Sequence, residues 1–328
     1  MALLCLAASA NLFASTPPSA RTYDFSRTTS ENYAQPDAPL SREFFTSRAG
    51  LDYNWHVRYS LARQHVQDAI IRKMLAPAQR AEPHGKKEAL PWVLLTAGCM
   101  GSGKTHVMTL LDRHELISLH RFVRIDMDRI RAELPETSTY MRIDKRIVGS
   151  MTQLEAGAIA EIASEEALSR KLSVWIDSTL QDAEWWELEF RRIKRTYPHR
   201  LAIVHVTASW PKVQEREAKR GLVTGRRIPI NVLRTVFTKV PDSIKKLKPL
   251  VDEYIEVDNE NTQPRLKHAS DVRALLRVAM DVADCPTNKG AVKENARRFE
   301  CLEMWLPNVR GLPMAFAHMR RRLRDKGE

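Results

Sequence analysis

No apolar run in this sequence is long enough to span a bilayer, so a transmembrane helix is not expected. Met1 to Ala14 are mostly apolar, but the basic start of a secretory signal is missing. The expected location is therefore cytoplasmic, with an organellar presequence as the alternative. Cys5, Cys99, Cys285 and Cys301 show neither metal-ligand spacing nor a disulfide framework, which points to a reducing compartment. There is no internal repeat. A guanine-binding Asn-Lys-x-Asp signature is also lacking: Asn288-Lys289-Gly290-Ala291 has no acid in place, which disfavours a GTPase.

What is present is enough for a large folded unit. The chain has 328 residues, 43% of them hydrophobic and 28% charged, and carries a net charge of +12. Such a length suits one extended α/β unit or two average domains. The positive balance favours anionic ligands, which include nucleotides, nucleic acids and anionic membrane surfaces.

The chain is organised around Val93–Thr105. An apolar, β-branched run leads into Gly98-Cys99-Met100-Gly101-Ser102-Gly103-Lys104-Thr105, a full match to G-x-x-x-x-G-K-[ST]. The glycines let successive N–H groups turn inward towards an anion, and the helix expected from Thr105 adds its N-terminal field. All eight residues are expected to bind ATP. Lys104 would reach the β- and γ-phosphates, and the Thr105 hydroxyl would take one Mg²⁺ position. Cys99 lies inside this loop and is read as an unreactive filler.

Residues Ser15 to about Ser47 are rich in Ser, Thr, Pro and Ala without periodicity and are read as mostly disordered. Apolar residues at helical spacing predict a helix over about Asn54–Leu75, with His56 and His65 as solvated flanks. Ala76–Glu88 reads as a linker. Further strands are expected over Phe122–Asp126, Leu172–Asp177, Leu201–Thr207 and Tyr254–Asp258. Helices are expected between them, one opened by a Thr152/Glu155 capping box, one capped by Asp182, one starting at Pro241. This alternation predicts a P-loop NTPase fold: a parallel sheet covered by helices on both faces, with a basic lid region and helical extensions. The expected division is a largely disordered segment (1–50), a kinase domain including its preceding helix (51–285), and a basic extension (286–328).

Ligands in such sheets sit beyond the strand C-termini. Asp128, just past the second strand, is placed to deprotonate an acceptor hydroxyl, or to cap the following helix. Asp126 would assist Mg²⁺ or structure. Asp177 ends the third strand, where a carboxylate can hold metal through water or bind the acceptor. Trp185-Trp186 are read as core packing. Arg216, Arg220, Arg226 and Arg227 form a basic lid suited to the charge that gathers on a moving phosphoryl group.

The ordered combination of Gly98–Thr105, Ile125–Arg131, Glu155–Glu161, Trp175–Thr179 and Thr224–Pro229 resembles the zeta-toxin family of P-loop kinases. The resemblance covers about Asn54 to Asn261. It implies that Lys104 binds phosphate, that Asp128 activates the acceptor, and that Arg226 contacts phosphate together with Arg216 or Arg220. It further implies acceptor-side roles for Glu161, Asp177 and Thr179, and a nucleotide sugar such as UDP-N-acetylglucosamine as acceptor. Met100 stands where many members have proline, and Asp177 where glutamate is frequent. A polynucleotide end kinase and a non-catalytic ATP-gated binding module are the alternatives. The segment from Pro313 combines Met314, Phe316, Met319 and Leu323 with a basic run. It is read as a helix docked on the core, with contacts to nucleic acid or to an anionic membrane as the competing readings.

Overall fold

The computed structural model describes residues 23–81, 90–224, 228–282 and Trp305. Helices α1 (Thr29–Tyr33), α2 (Phe45–Ala49) and α3 (Leu61–Arg80) precede strand β1 (Trp92–Ala97), which runs into α4 (Lys104–Arg113). Strand β2 (Phe122–Ile125) is followed by α5 (Met127–Glu133), α6 (Thr137–Ile143), α7 (Val148–Met151) and α8 (Gln153–Ser169). Then come β3 (Ser173–Asp177), α9 (Ala183–Thr196), β4 (Arg200–Thr207), α10 (Trp210–Thr224) and α11 (Ile230–Leu247). Strands β5 (Glu253–Asp258) and β6 (Arg265–Leu266) and helix α12 (Ala269–Val282) complete the described elements.

The sheet order is β2-β3-β1-β4-β5-β6, parallel throughout except for the short antiparallel β6. β1 lies between two partners and is buried along its whole length, which is why its sequence is a continuous apolar run. Its side chains still alternate. Val93 and Leu95 belong to a core shared with α3, α8, α9 and α11; Trp92 and Leu94 belong to one under α4 and α12. Trp305 joins this second core and donates from Nε1 to His114 Nδ1 at 2.9 Å. The expected doubly covered α/β fold is present. β6 has no counterpart in the sequence reading, since two residues are too few to show a period.

Residues 23–50 correct the expectation of disorder. Phe44 is buried in the larger core, and the Arg48 guanidinium pairs with buried Asp68 and Gln67 on α3. A few apolar and ionic anchors fix a segment whose composition looks like a linker. Met1–Thr22 lie outside the described residues.

Other expectations shift for local reasons. The first long helix begins at Leu61 rather than Asn54, because Ser60 caps it and Tyr59 bridges to Ala34. It runs through Pro77 to Arg80, shortening the expected linker. α11 passes through Pro241 instead of starting there, because Leu233, Val236, Val240, Ile244 and Leu247 keep one face buried across the proline. Thr152 does precede α8, but there is no capping box. Its hydroxyl donates to Val148 O, and Glu155 is buried against Arg63 at 2.6 Å.

Candidate functional site

Three loops meet at the C-terminal edge of β1, β2 and β3. After β1, Gly98 takes φ +136° and its N–H donates to Thr179 O at 3.3 Å. A Cβ at Gly98 would sit 2.4 Å from Val206 O, so only glycine lets the chain pass here. Lys104 opens α4 and folds back, donating from Nζ to Gly98 O at 3.0 Å. Burial holds the Lys104 pKa below its ordinary value, and Asp177 works in the opposite direction. Cys99 is buried and its thiol is pushed up to about 11, so it carries little thiolate near neutrality, as its reading as a filler requires.

Asp177 closes β3 with both oxygens engaged. Thr96 Oγ1 donates to Oδ1 at 2.9 Å, and Thr105 Oγ1 lies 3.4 Å from Oδ2. Asp126, not Asp128, caps α5, accepting from the N–H groups of Asp128 and Arg129. Arg124 lies between these acids, 2.7 Å from Asp126 and 3.8 Å from Asp177, and is seated over the Trp175 ring. Asp128, relieved of capping, projects into the cleft. Arg131 Nη1 reaches its Oδ1 at 2.9 Å, and Arg220 Nη2 its Oδ2 at 3.1 Å.

One cleft of about 540 Å³ brings together Met100, Gly101, Gly103, Lys104, Thr105, Asp128, Asp177, Thr179, Arg216 and Arg220. A slightly larger groove, about 590 Å³ between α9 and α11, contains Asp182 and Lys239 but no phosphate-loop residue. Arg216 lines the cleft and is also tied to the backbone. It donates to the backbone oxygens of Ser102 (3.2 Å) and Asn259 (2.7 Å).

Glu161 does not line the cleft. It lies on α8 and accepts from buried His56 at 3.0 Å, which also corrects the expectation that His56 is solvated. Arg226 and Arg227 lie outside the described residues, as do Pro286–Glu328 apart from Trp305. Trp186 is core as expected, whereas Trp185 is half exposed. Sequence reasoning missed Arg124, Arg131 and Asn259. A charge inside the apolar run Phe122–Ile125 was a signal for the first, and spacing of three from Asp128 for the second. Asn259 gave none.

The family model described as zeta toxin matches residues 78–266 of this chain. A chain from the PezAT chromosomal toxin–antitoxin system of Streptococcus pneumoniae superposes with a TM-score of 0.51 at 14% identity, covering 76% of this chain and 98% of that one. A chain of the AvrRxo1-ORF1:AvrRxo1-ORF2 complex with sulphate ions gives 0.51 at 13% identity, covering 91% and 94%. The same complex with ATP gives 0.52 at 12% identity, again covering 91% and 94%. At such identities these likenesses are of fold. No curated protein matches the sequence. Among the described residues no helix is long and apolar enough to cross a membrane.

Proposed function

The chain belongs to the zeta-toxin family, and from that premise we propose that it is an ATP-dependent kinase transferring the γ-phosphate to a hydroxyl. The observation that carries this reading is one cleft lined by both Asp128 and the phosphate loop, with Arg220 paired to Asp128 in it. A similar fold solved with ATP supports the choice of nucleotide.

The loop amides other than those of Gly98 and Ser102, which donate to Thr179 O and Cys99 O, receive the phosphates, and Lys104 leaves Gly98 O to meet them. Thr105 and Asp177 offer hard oxygen donors 3.4 Å apart, which suits Mg²⁺, an ion that keeps several waters and shares substrate phosphates. These two residues would hold the ion, which would supply positive charge to offset that of the phosphates. Asp128 accepts the proton of the acceptor hydroxyl as that oxygen bonds to the γ-phosphorus. The bond from the γ-phosphorus to the bridging oxygen breaks, and ADP leaves with that electron pair. Arg220 offsets the charge on the moving group, and the family resemblance alone gives Arg226 a phosphate-contacting role. Thr179 is assigned to the acceptor side by the family resemblance, and Asp177 either to that side or to the metal through water; Glu161 does not line the cleft.

A nucleotide sugar such as UDP-N-acetylglucosamine is the first acceptor to test. The experiment offers γ-labelled ATP with a panel of nucleotide sugars and a panel of RNA and DNA ends. A labelled small molecule formed by the wild type and not by Lys104→Ala supports the proposal. Label on nucleic acid alone makes this an end kinase. Tight ATP binding without any product makes it a binding module.

A further inference from the structure

We infer that Asn259, together with Arg216, is a positioning pair that locks the phosphate loop in its anion-binding orientation, an inference that rests on the nucleotide site proposed above. Asn259 follows β5 and is 1% exposed. Its Nδ2 donates to Ser102 O at 2.7 Å, and its own N–H is fixed by Thr207 O at 2.8 Å. Arg216 Nη2 donates to Asn259 O at 2.7 Å, while Nη1 of the same guanidinium donates to Ser102 O at 3.2 Å. The Ser102 carbonyl therefore takes two donors from outside its loop, one neutral and one cationic.

The consequence follows from the geometry of a single peptide plane. In a trans peptide the Ser102 carbonyl and the Gly103 N–H point to opposite sides. Gly103 has φ +91°, and a glycine there lets the 102–103 peptide turn over at little cost. The turned peptide would present a carbonyl oxygen where an anion needs an N–H. The two donors hold that oxygen outward, leaving the Gly103 N–H on the other side of the plane, and Gly103 lines the cleft. Glycine also permits the approach itself, since a Cβ at 103 would lie 2.2 Å from Asn259 Nδ2. The carboxamide cannot turn round without facing one oxygen with another. Its Oδ1 stays buried with no hydrogen-bond partner among the described residues, so the amide is spent on Ser102. Because Arg220 lies four residues beyond Arg216 on α10, the same guanidinium also registers the lid arginine to the loop.

Tripolyphosphate titrated by calorimetry into the wild type, Asn259→Ala and Asn259→Asp tests this without any acceptor. Asn259→Ala should weaken tripolyphosphate on the order of tenfold, the loss expected for one buried hydrogen bond that orients a binding group. Asn259→Asp should show a similar loss at pH 7.5. Relative to the wild type at each pH, it should recover as pH falls, because the protonated acid can again donate to Ser102 O. A residue that merely packs would not give that rescue. A wild type that binds no tripolyphosphate overturns the nucleotide-site reading itself. Wild-type binding matched by both variants at every pH overturns only the positioning role. If Asn259→Ala does not fold, the pH course of Asn259→Asp decides alone: recovery supports the lock, and a flat ratio rejects it.

Discussion

Arg220 Nη2 lies 3.1 Å from Asp128 Oδ2, so the proposed base is bridged to the lid helix across the nucleotide cleft. Arg131 holds the other carboxylate oxygen from within α5. Under the proposed function, incoming phosphates would compete with Asp128 for Arg220, which would couple nucleotide binding to release of the base through one guanidinium. Arg220→Ala is expected to lower kcat/KM by about 10²- to 10³-fold, the scale for losing one preorganised donor to the transition state. Arg220→Lys should recover only part of this, since an ammonium lacks the planar fork. Steady-state kinetics on the identified acceptor measure both, and an Arg220→Ala enzyme with wild-type kcat/KM would remove Arg220 from the reaction.

A second prediction concerns stability away from the cleft. Arg63 is buried between Glu155 and Glu136, at 2.6 and 2.8 Å. Glu155→Ala leaves that guanidinium with half of its compensation and should cost about 3–5 kcal/mol. Urea denaturation gives the value directly. A loss below about 1 kcal/mol would mean that water or rearrangement replaces the pair.

The third prediction is a pH dependence. Burial pushes His205 down to about 4, against the attraction of Glu256 and with Lys267 and Lys248 reinforcing it. The unfolded chain, with a pKa near 6.5, therefore binds this proton first as pH falls. The stability contributed by neutral His205 is whole above about pH 6.5 and is lost progressively towards pH 4. Thermal midpoints measured across that window should fall less steeply for His205→Gln than for the wild type. Parallel slopes would show that other groups govern the acid limb.

The sheet and the phosphate loop were legible in the sequence because their signals are local. Val93–Ala97 are apolar because β1 is covered on both faces, and the loop pattern needs its residues next to one another. Asp128 was legible by position at the sheet edge, though its capping alternative belongs to Asp126. Pairings across long separations were not legible. Glu155 looked like half of a capping box and is a partner of Arg63, 92 residues away. The ties of Arg216 to Ser102 O and Asn259 O were not legible either, because nothing local in the sequence announces Asn259. Residues 23–50 were misread for the same reason: Phe44 and Arg48 are ordered by α3 and the core, not by their neighbours.

The central claim is that Asp128 acts on the acceptor and not on ATP. Single-turnover transfer from γ-labelled ATP, followed beside ATP affinity, separates the two for wild type and Asp128→Asn. The variant should bind ATP within a few-fold of wild type and transfer about 10²- to 10⁴-fold more slowly, the range for removal of a general base. Transfer at the wild-type rate by Asp128→Asn would contradict the account.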